Sequence, residues 1–159
     1  MERILEILEN DCTLSLEQIG MMTDKSAQEV ADIIDSLRQE GIILKNKSVI
    51  NWEKTDKEFV TALIELKVTP QRGGGFDKIA ERIYQYPEVK SLYLMAGAYD
   101  LMVTIEGRTM KEVALFVSTK LAPMEQVMGT ATHFVLKNFK VSGMIVDSKK
   151  EDIREVISI

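Results

Sequence analysis

Cysteine and histidine, the residues that most often build disulfides and metal sites, are almost absent from this sequence. Among 159 residues there is one of each, Cys12 and His133. A single cysteine excludes an intramolecular disulfide, and this pair alone argues against a structural zinc site. We therefore expect neither a metal nor another cofactor.

Long apolar runs are also missing. No segment approaches about 18 consecutive apolar residues, the length that a membrane-spanning helix needs. The start, Met1-Glu-Arg-Ile-Leu-Glu6, carries charges where a signal peptide has its apolar core. We therefore expect a cytoplasmic protein with no membrane partner. The apolar content of 45% is nevertheless enough for real cores, in one ordinary domain or two small ones.

Negative charge is concentrated in the first third of the chain. Residues 1–54 hold 11 acidic and 6 basic side chains, whereas residues 55–159 hold 14 of each. The first third therefore carries the entire net charge of -5. A partner of this segment that is itself negatively charged would have to overcome that excess.

Short helices followed by a hairpin are predicted in the first third. Ser15-Leu-Glu-Gln18 is a capping-box pattern that starts one helix, and Ser26 can cap the next, whose apolar residues keep helical spacing up to Gly41. Two short helices joined by about four residues are typical of a helix-turn-helix. The segments on either side of Asn46-Lys47 suit a small hairpin or wing. A winged helix-turn-helix domain is therefore predicted at residues 1–54.

The rest of the chain predicts an α+β domain at residues 55–146. Its pattern of strand, helix, strand, strand, helix and strand is the ferredoxin-like βαββαβ arrangement, with both helices on one face of the sheet. The predicted elements are a strand at Val60–Val68, a helix ending before Pro87, strands on either side of residues 95–102, a helix started by a capping box at Thr109–Glu112, a strand at Gln126–Leu136, and a helical tail at residues 147–159.

One face of this predicted sheet has no helix to cover it. In the strand that follows residues 95–100, Leu101, Val103 and Ile105 alternate toward the helices, which puts Asp100 and Met102 on the other face. That face is partly apolar. We therefore expect it to be a partner surface through which the chain associates with itself.

Four short motifs resemble a known family. They are Glu40-Gly-Ile-Ile43, Pro87-Glu-Val89, Gly97-Ala-Tyr-Asp-Leu101 and Thr130-Ala-Thr-His-Phe-Val-Leu-Lys137. Together with the order of elements over about residues 1–141, they resemble the Lrp/AsnC (feast/famine) family of transcription regulators. The resemblance implies a ferredoxin-like effector domain that dimerises through its sheets and commonly assembles into an octamer, a ring of four dimers. It also implies an amino acid or similar small effector bound between dimers.

The resemblance places the effector at the glycine-containing turn and on the last strand. A carboxylate there can receive the effector's ammonium group, while threonine hydroxyls and turn amides hold its carboxylate. In a simpler interpretation Asp100 is satisfied by the turn's own amides, and the threonines are strand formers on a polar face. The effector-binding residues implied by the resemblance are Met95, Ala96, Gly97, Tyr99, Asp100, Thr130 and Thr132.

A promoter duplex is the expected partner of the first domain, although its third helix is acidic. Glu29, Asp32 and Asp35 lie where the family usually has basic residues, and DNA affinity comes largely from lysine and arginine. The start of that helix and the predicted wing are more favourable, since a glutamine can read adenine and lysines can contact phosphates. The candidate DNA-binding residues are Lys25, Ser26, Ala27, Gln28, Lys45 and Lys47.

The sequence is compatible with three functions. The first is a metabolite-responsive transcription regulator, and the second is a ligand-sensing or protein-partner module with the same fold and weakened or lost DNA binding. The third is an enzyme, because relatives of this architecture include decarboxylases of haem precursors. Only one histidine is present and no Ser, Cys or Asp partner for it is identifiable by spacing, so we expect no catalytic residues and no enzyme. Gly73-Gly-Gly75 lacks the pattern of a phosphate-binding loop.

Overall fold

The computed structural model describes residues 1–70 and 75–146. The chain forms two compact units that divide between Val49 and Ile50, and each has its own apolar core. The predicted helical tail at residues 147–159 lies outside the described residues. Within the described part, no helix is long and apolar enough to cross a membrane.

The first unit contains three helices, α1 (Glu2–Asn10), α2 (Leu16–Thr23) and α3 (Ala27–Gln39). The capping box predicted for α2 is confirmed. Ser15 N donates to Gln18 Oε1 at 2.8 Å, and Gln18 N donates to Ser15 Oγ at 3.3 Å. Ser26 caps α3 as predicted, and Glu29 completes a second reciprocal box. The buried core of this unit consists of Ile4, Ile7, Ile19, Val30 and Ile34.

The hairpin predicted on either side of Asn46-Lys47 is wrong. Residues 42–50 contain no strand, Leu44 is 90% exposed, and Ile42, Val49 and Ile50 are each about half exposed. An isolated two-stranded ribbon is marginal in water, and this segment lacks the Asn-Gly type of turn that favours a tight hairpin. The segment therefore has no regular secondary structure that would make it a wing.

The second unit is ferredoxin-like, as predicted. Its sheet has the strand order β2-β3-β1-β4, and every neighbouring pair is antiparallel. Helices α4 and α5 follow β1 and β3 along the chain. The elements are β1 (Val60–Val68), α4 (Asp77–Tyr84), β2 (Val89–Leu94), β3 (Leu101–Gly107), α5 (Met110–Phe116) and β4 (Val127–Phe134).

The core of the second unit lies between the sheet and the two helices. The residues predicted to face the helices from β3 are at most 1% exposed, and so are their neighbours on β1. Each buried valine, leucine or isoleucine among them contributes about 1.5–3 kcal/mol through its burial. The central members of this core are Ala62, Ile64, Leu66, Ile83, Leu101, Val103, Ile105 and Val113.

The cap and the end of α5 differ from the prediction. Glu112 N donates to Thr109 Oγ1 at 3.1 Å, but the Glu112 carboxylate accepts from Arg108 N at 2.7 Å. Only one half of the predicted capping box is therefore formed. A π-helical turn, Val117–Leu121, continues α5, and Ala122 N donates to Val117 O at 2.8 Å.

A small hairpin that the sequence did not predict follows β4. Strands β5 (Lys140–Val141) and β6 (Met144–Ile145) pair antiparallel across Ser142 and Gly143, whose φ angles are 46° and 81°. Positive φ at both central residues is the requirement of a type I′ turn. Asn138 N also donates to Glu53 Oε1 at 3.1 Å, which ties the chain before β5 to the short 3-10 turn Trp52–Lys54 at the start of the second unit.

Candidate effector turn and helix-turn-helix

The β2–β3 turn (residues 95–100) is fastened to β1 by its last residue, Asp100. Asp100 N donates to Leu66 O at 3.0 Å, and Val68 N donates to Asp100 Oδ2 at 2.9 Å. The ammonium nitrogen of Lys67 lies 3.2 Å from the other carboxylate oxygen, Oδ1. The carboxylate therefore holds two consecutive residues of the central strand β1.

These contacts also set the charge state of Asp100. The hydrogen bond from Val68 N–H lowers the pKa of the Asp100 carboxyl, partial burial opposes that shift, and Lys67 adds to it. Asp100 is thus an ionised side chain satisfied by its own chain. The donors come from β1, and not from the turn's own amides as the simpler interpretation of the sequence supposed.

The remainder of the turn is open. Met95 is 38% exposed, Ala96 and Gly97 are exposed, and Tyr99 is half-buried. The φ of Gly97 is not positive, and a Cβ built there meets no atom within 4 Å. Neither the backbone conformation nor packing within this chain therefore requires a glycine at position 97. The space beside position 97 is therefore open.

The two predicted threonines of β4 lie on the opposite side of the sheet from Asp100. Thr130 and Thr132 are the register partners of Leu66 and Ile64, whose side chains point to the helices. Asp100 belongs to the helix-free face, as the strand phase predicted. One chain therefore does not bring the turn carboxylate and the two hydroxyls onto the same face.

The helix-free face mixes apolar and charged side chains. Leu63 and Met102 are both half-buried on it and come from the two central strands. Beside them His133 Nε2 lies 3.3 Å from Glu65 Oε1, and the His133 side chain is 57% exposed. The lone histidine is therefore a surface residue of this face, paired with Glu65.

The helix-turn-helix depends on a glycine that the sequence analysis missed. A Cβ on Gly20 would lie 2.5 Å from the backbone oxygen of Lys25, so α2 and the chain entering α3 approach too closely for any side chain. Asp24 takes the left-handed conformation in the turn, with φ 52°. The available signal was a glycine inside a predicted helix a few residues before a turn.

The candidate DNA-binding residues at the start of α3 are already partly engaged. The Ser26 hydroxyl caps the helix and donates to Glu29 Oε2 at 2.7 Å, and Gln28 Nε2 donates to Asp32 Oδ1 at 2.8 Å. Ala27 is half-buried, whereas Lys25 is exposed. Lys45 and Lys47 are exposed in the irregular segment after the helix.

A cleft that the sequence did not suggest lies at the other end of β3. Its volume is about 610 Å³, within the range of small-molecule sites, and Ile105, Val113 and Phe116 form an apolar floor. None of the predicted effector-binding residues lines it. The cleft is built from segments far apart in sequence, so no local sequence pattern predicts it. Its charged rim consists of Lys57, Glu58, Glu88, Lys90, Glu106, Arg108, Glu112 and Lys120.

The fold places the chain among helix-turn-helix proteins with an appended ferredoxin-like domain. Residues 61–145 match the family model of the Lrp/AsnC ligand binding domain. The chain belongs to the Lrp/AsnC family of transcriptional regulators. Across residues 1–70 and 75–146, no group of three His, Cys, Asp or Glu side chains could hold a metal ion.

Similar proteins agree with this assignment. The chain is 47% identical over 156 residues to an uncharacterized HTH-type transcriptional regulator, YugG, of Bacillus subtilis, across 98% of this chain and 94% of that protein. It is 31% identical over 139 residues to the HTH-type transcriptional regulator FL11 of Pyrococcus furiosus, across 87% and 89% of the two chains. These names are those of transcriptional regulators and not of enzymes, so the enzyme hypothesis is set aside.

The fold also matches a solved structure. The transcriptional regulator NMB0573 of Neisseria meningitidis, in complex with L-Met, superposes with a TM-score of 0.70 over 87% of this chain and 89% of that one. The two sequences are 20% identical. At that identity the likeness concerns the fold alone.

Proposed function

We propose that this chain is a cytoplasmic regulator that binds a promoter duplex through its first domain, residues 1–54, and responds to an amino acid or related small effector through its second domain, residues 55–146. The observation that carries the effector part is the β2–β3 turn. Asp100 fixes its backbone, its middle residues stay exposed, and Gly97 leaves unfilled space above it. The L-Met complex of the Neisseria regulator supports an amino acid as the class of effector.

Self-association is part of this proposal. The helix-free face offers Leu63 and Met102 to a second copy, which supports a homodimer. Because Asp100 and Thr130 lie on opposite faces of one sheet, an effector that meets both kinds of group needs more than one protomer. A site between dimers, in an assembly such as an octamer, satisfies that requirement.

DNA binding is tested with the two exposed lysines that follow α3. A Lys45→Ala, Lys47→Ala double variant should lose affinity for a promoter-length duplex taken upstream of the protein's own gene. Each lost phosphate contact should also reduce the slope of log Kd against log salt by about 0.9. Fluorescence anisotropy at several salt concentrations measures both. A double variant with the same charge change on the exposed helix lysines of the second domain, Lys78→Ala and Lys111→Ala, is the control and should bind as the parent does.

A second function is favoured by the acidic side chains of α3. Asp32 holds the amide of Gln28, and Asp35 pairs with Arg38 at 3.1 Å, so this helix presents acids where phosphates would approach. A ligand-sensing or protein-partner module without DNA binding explains that surface. The same titration separates the two functions. If the parent shows no binding to any upstream duplex at about 50 mM salt while amino acids still raise its thermal stability, the sensing module is correct.

A further inference from the structure

The cleft at the far end of β3 has an apolar floor that is already in place. Ile105 and Val113 on this floor are each 1% exposed. The third floor residue, Phe116, packs edge-to-face on Tyr86, with 5.3 Å between the ring centroids. Leu115 lines the same cleft and is 51% exposed. A half-exposed leucine beside a preformed apolar floor offers apolar area to a partner.

The rim of the cleft carries both signs of charge in equal number. Four of its side chains are acidic and four are basic. Nucleic acid or an anionic membrane surface would meet those four carboxylates, so neither suits this rim. The partner that fits is apolar in part and carries charges of both signs. The rim side chains that form no hydrogen bond or ion pair with any other residue in 1–70 and 75–146 are Glu58, Glu88, Glu106, Arg108 and Lys120.

Val146, the residue that precedes residues 147–159, lies near this cleft. Its carbonyl oxygen accepts from Asn51 Nδ2 at 3.2 Å. Next to Asn51 in the chain is Trp52, and the ammonium nitrogen of Lys57, a rim residue, lies 3.9 Å from the centroid of its ring. Asn51 and Lys57 are six positions apart, so their Cα atoms are separated by at most about 22 Å.

The sequence of residues 147–159 has the character that the cleft requires. Ile153, Val156 and Ile157 recur at i, i+3 and i+4, the spacing of one face of a helix. The segment also holds three basic and four acidic side chains. Ile153 follows Val146 by seven positions, and seven residues reach up to about 25 Å. The connection is therefore long enough for these apolar side chains to reach the floor.

We propose that residues 147–159 dock in the cleft of their own chain, with the apolar side chains of the segment on the floor and its charged side chains against the rim. The contact is intramolecular, and a short connection gives an effective concentration of about millimolar, so modest affinity is sufficient. This interaction is independent of the proposed effector and DNA-binding functions, because neither uses a residue that lines the cleft.

The position of the segment is tested by disulfide trapping in the full-length protein. Cys12→Ser first removes the one native cysteine. Thr119→Cys, in the cleft, is then combined with Val156→Cys, in the middle of the apolar group. Under mild oxidation this pair should form an intrachain disulfide at least about tenfold faster than the control pair Lys78→Cys, Val156→Cys. Lys78 is exposed on α4 and does not line the cleft.

Mass spectrometry of the unreduced protein gives both rates, and an interchain disulfide is recognised because it doubles the mass. Equal rates for the two pairs overturn the inference, since the segment then has no preference for the cleft. A disulfide that forms only between two chains also overturns it, because the occupant of the cleft is then the segment of a second copy.

Docking of the unmodified segment is tested by the initial rate of tryptic cleavage after Arg154. The parent should be cut at least about tenfold more slowly than the free peptide of residues 147–159, because a docked segment must be released before cleavage. Leu115→Glu places a carboxylate in the cleft and should bring the rate toward that of the peptide. Met110→Glu is the matched control, since Met110 is 50% exposed on the same helix, does not line the cleft, and should leave the rate unchanged. A parent that is cut as fast as the free peptide, or a Leu115→Glu variant that is cut as slowly as the parent, refutes the docking.

Discussion

Replacing Gly20 by alanine should loosen the helix-turn-helix without touching any residue proposed to bind DNA. The added Cβ would lie 2.5 Å from the backbone oxygen of Lys25, a separation that real Cβ atoms essentially never show. The clashing atom belongs to the backbone of the turn and not to the end of a flexible side chain. The turn between α2 and α3 must therefore move, or the helices must separate.

The size of the effect follows from two opposing contributions. Alanine in place of a glycine inside a helix stabilises the chain by about 0.5–1 kcal/mol through the backbone entropy of the unfolded state. An inserted methyl group in a well-packed region costs about 1–3 kcal/mol. Because Gly20 is buried and the obstacle is backbone, we expect the cost to prevail by about 1–2 kcal/mol.

Hydrogen exchange with mass spectrometry measures the exchange rates of backbone amides in the first unit separately from those in the second. A loss of about 1–2 kcal/mol should speed exchange of the protected amides of α3 by about 5–30-fold and leave β1 unchanged. Gly97→Ala is the matched control, since its Cβ meets nothing within 4 Å, and it should leave exchange in both units as in the parent. Unchanged or slower exchange of α3 in Gly20→Ala would refute the close approach described for this turn.

Two further results are expected. Leu63→Glu should weaken self-association at least about tenfold, about 1.4 kcal/mol, because it places a carboxylate on the helix-free face. The control Leu115→Glu, on α5, should associate as the parent does. Sedimentation that gives both variants the mass of the parent assembly contradicts this prediction. The Val68 N–H lowers the pKa of the Asp100 carboxyl, so the ionised carboxylate stabilises the fold at neutral pH. This contribution is lost as the pH falls below 3.8, the ordinary pKa of an aspartate carboxyl, and through the lower pKa of the folded state. Chemical unfolding should show a stability difference between the parent and Asp100→Asn that is constant above about pH 5 and shrinks in acid, and a difference that stays constant to about pH 2 contradicts the argument.

Elements whose signals are local were predicted well from the sequence. The serine caps of α2 and α3 depend on residues three positions apart, and both are present. The alternation that predicted a strand from Val60 to Val68 runs through the whole of β1, and the bounds agree. The hairpin at residues 42–50 failed because a strand is stable only with a partner, and alternation of apolar residues does not provide one.

For the candidate site, strand alternation predicted only the face of the sheet on which Asp100 lies. The phase placed Asp100 on the helix-free face, because a strand alternates by residue. Its partners Lys67 and Val68 lie more than 30 residues earlier in the chain, and only the register of β1 against β3 brings them there. The face of Thr130 and Thr132 likewise depends on the register of β4 against β1. Local sequence patterns do not determine the register between strands that are distant in the chain.

The acidic third helix gives the proposed regulation a physical basis. The first third of the chain has a net charge of -5, so a single helix-turn-helix starts with unfavourable electrostatics toward DNA. Linking two such units makes the second contact intramolecular and raises overall affinity by about 10²–10⁴. Under the proposed function, a chain with low single-site affinity would therefore bind DNA only when it is assembled. In this proposal, an effector bound between protomers would change that assembly, and through it the occupancy of DNA, without touching α3. Replacing Asp32 and Asp35 by asparagine should accordingly raise DNA affinity and make that affinity less dependent on the effector. If anisotropy shows an unchanged dependence on the effector, assembly is not the means by which the effector controls DNA binding.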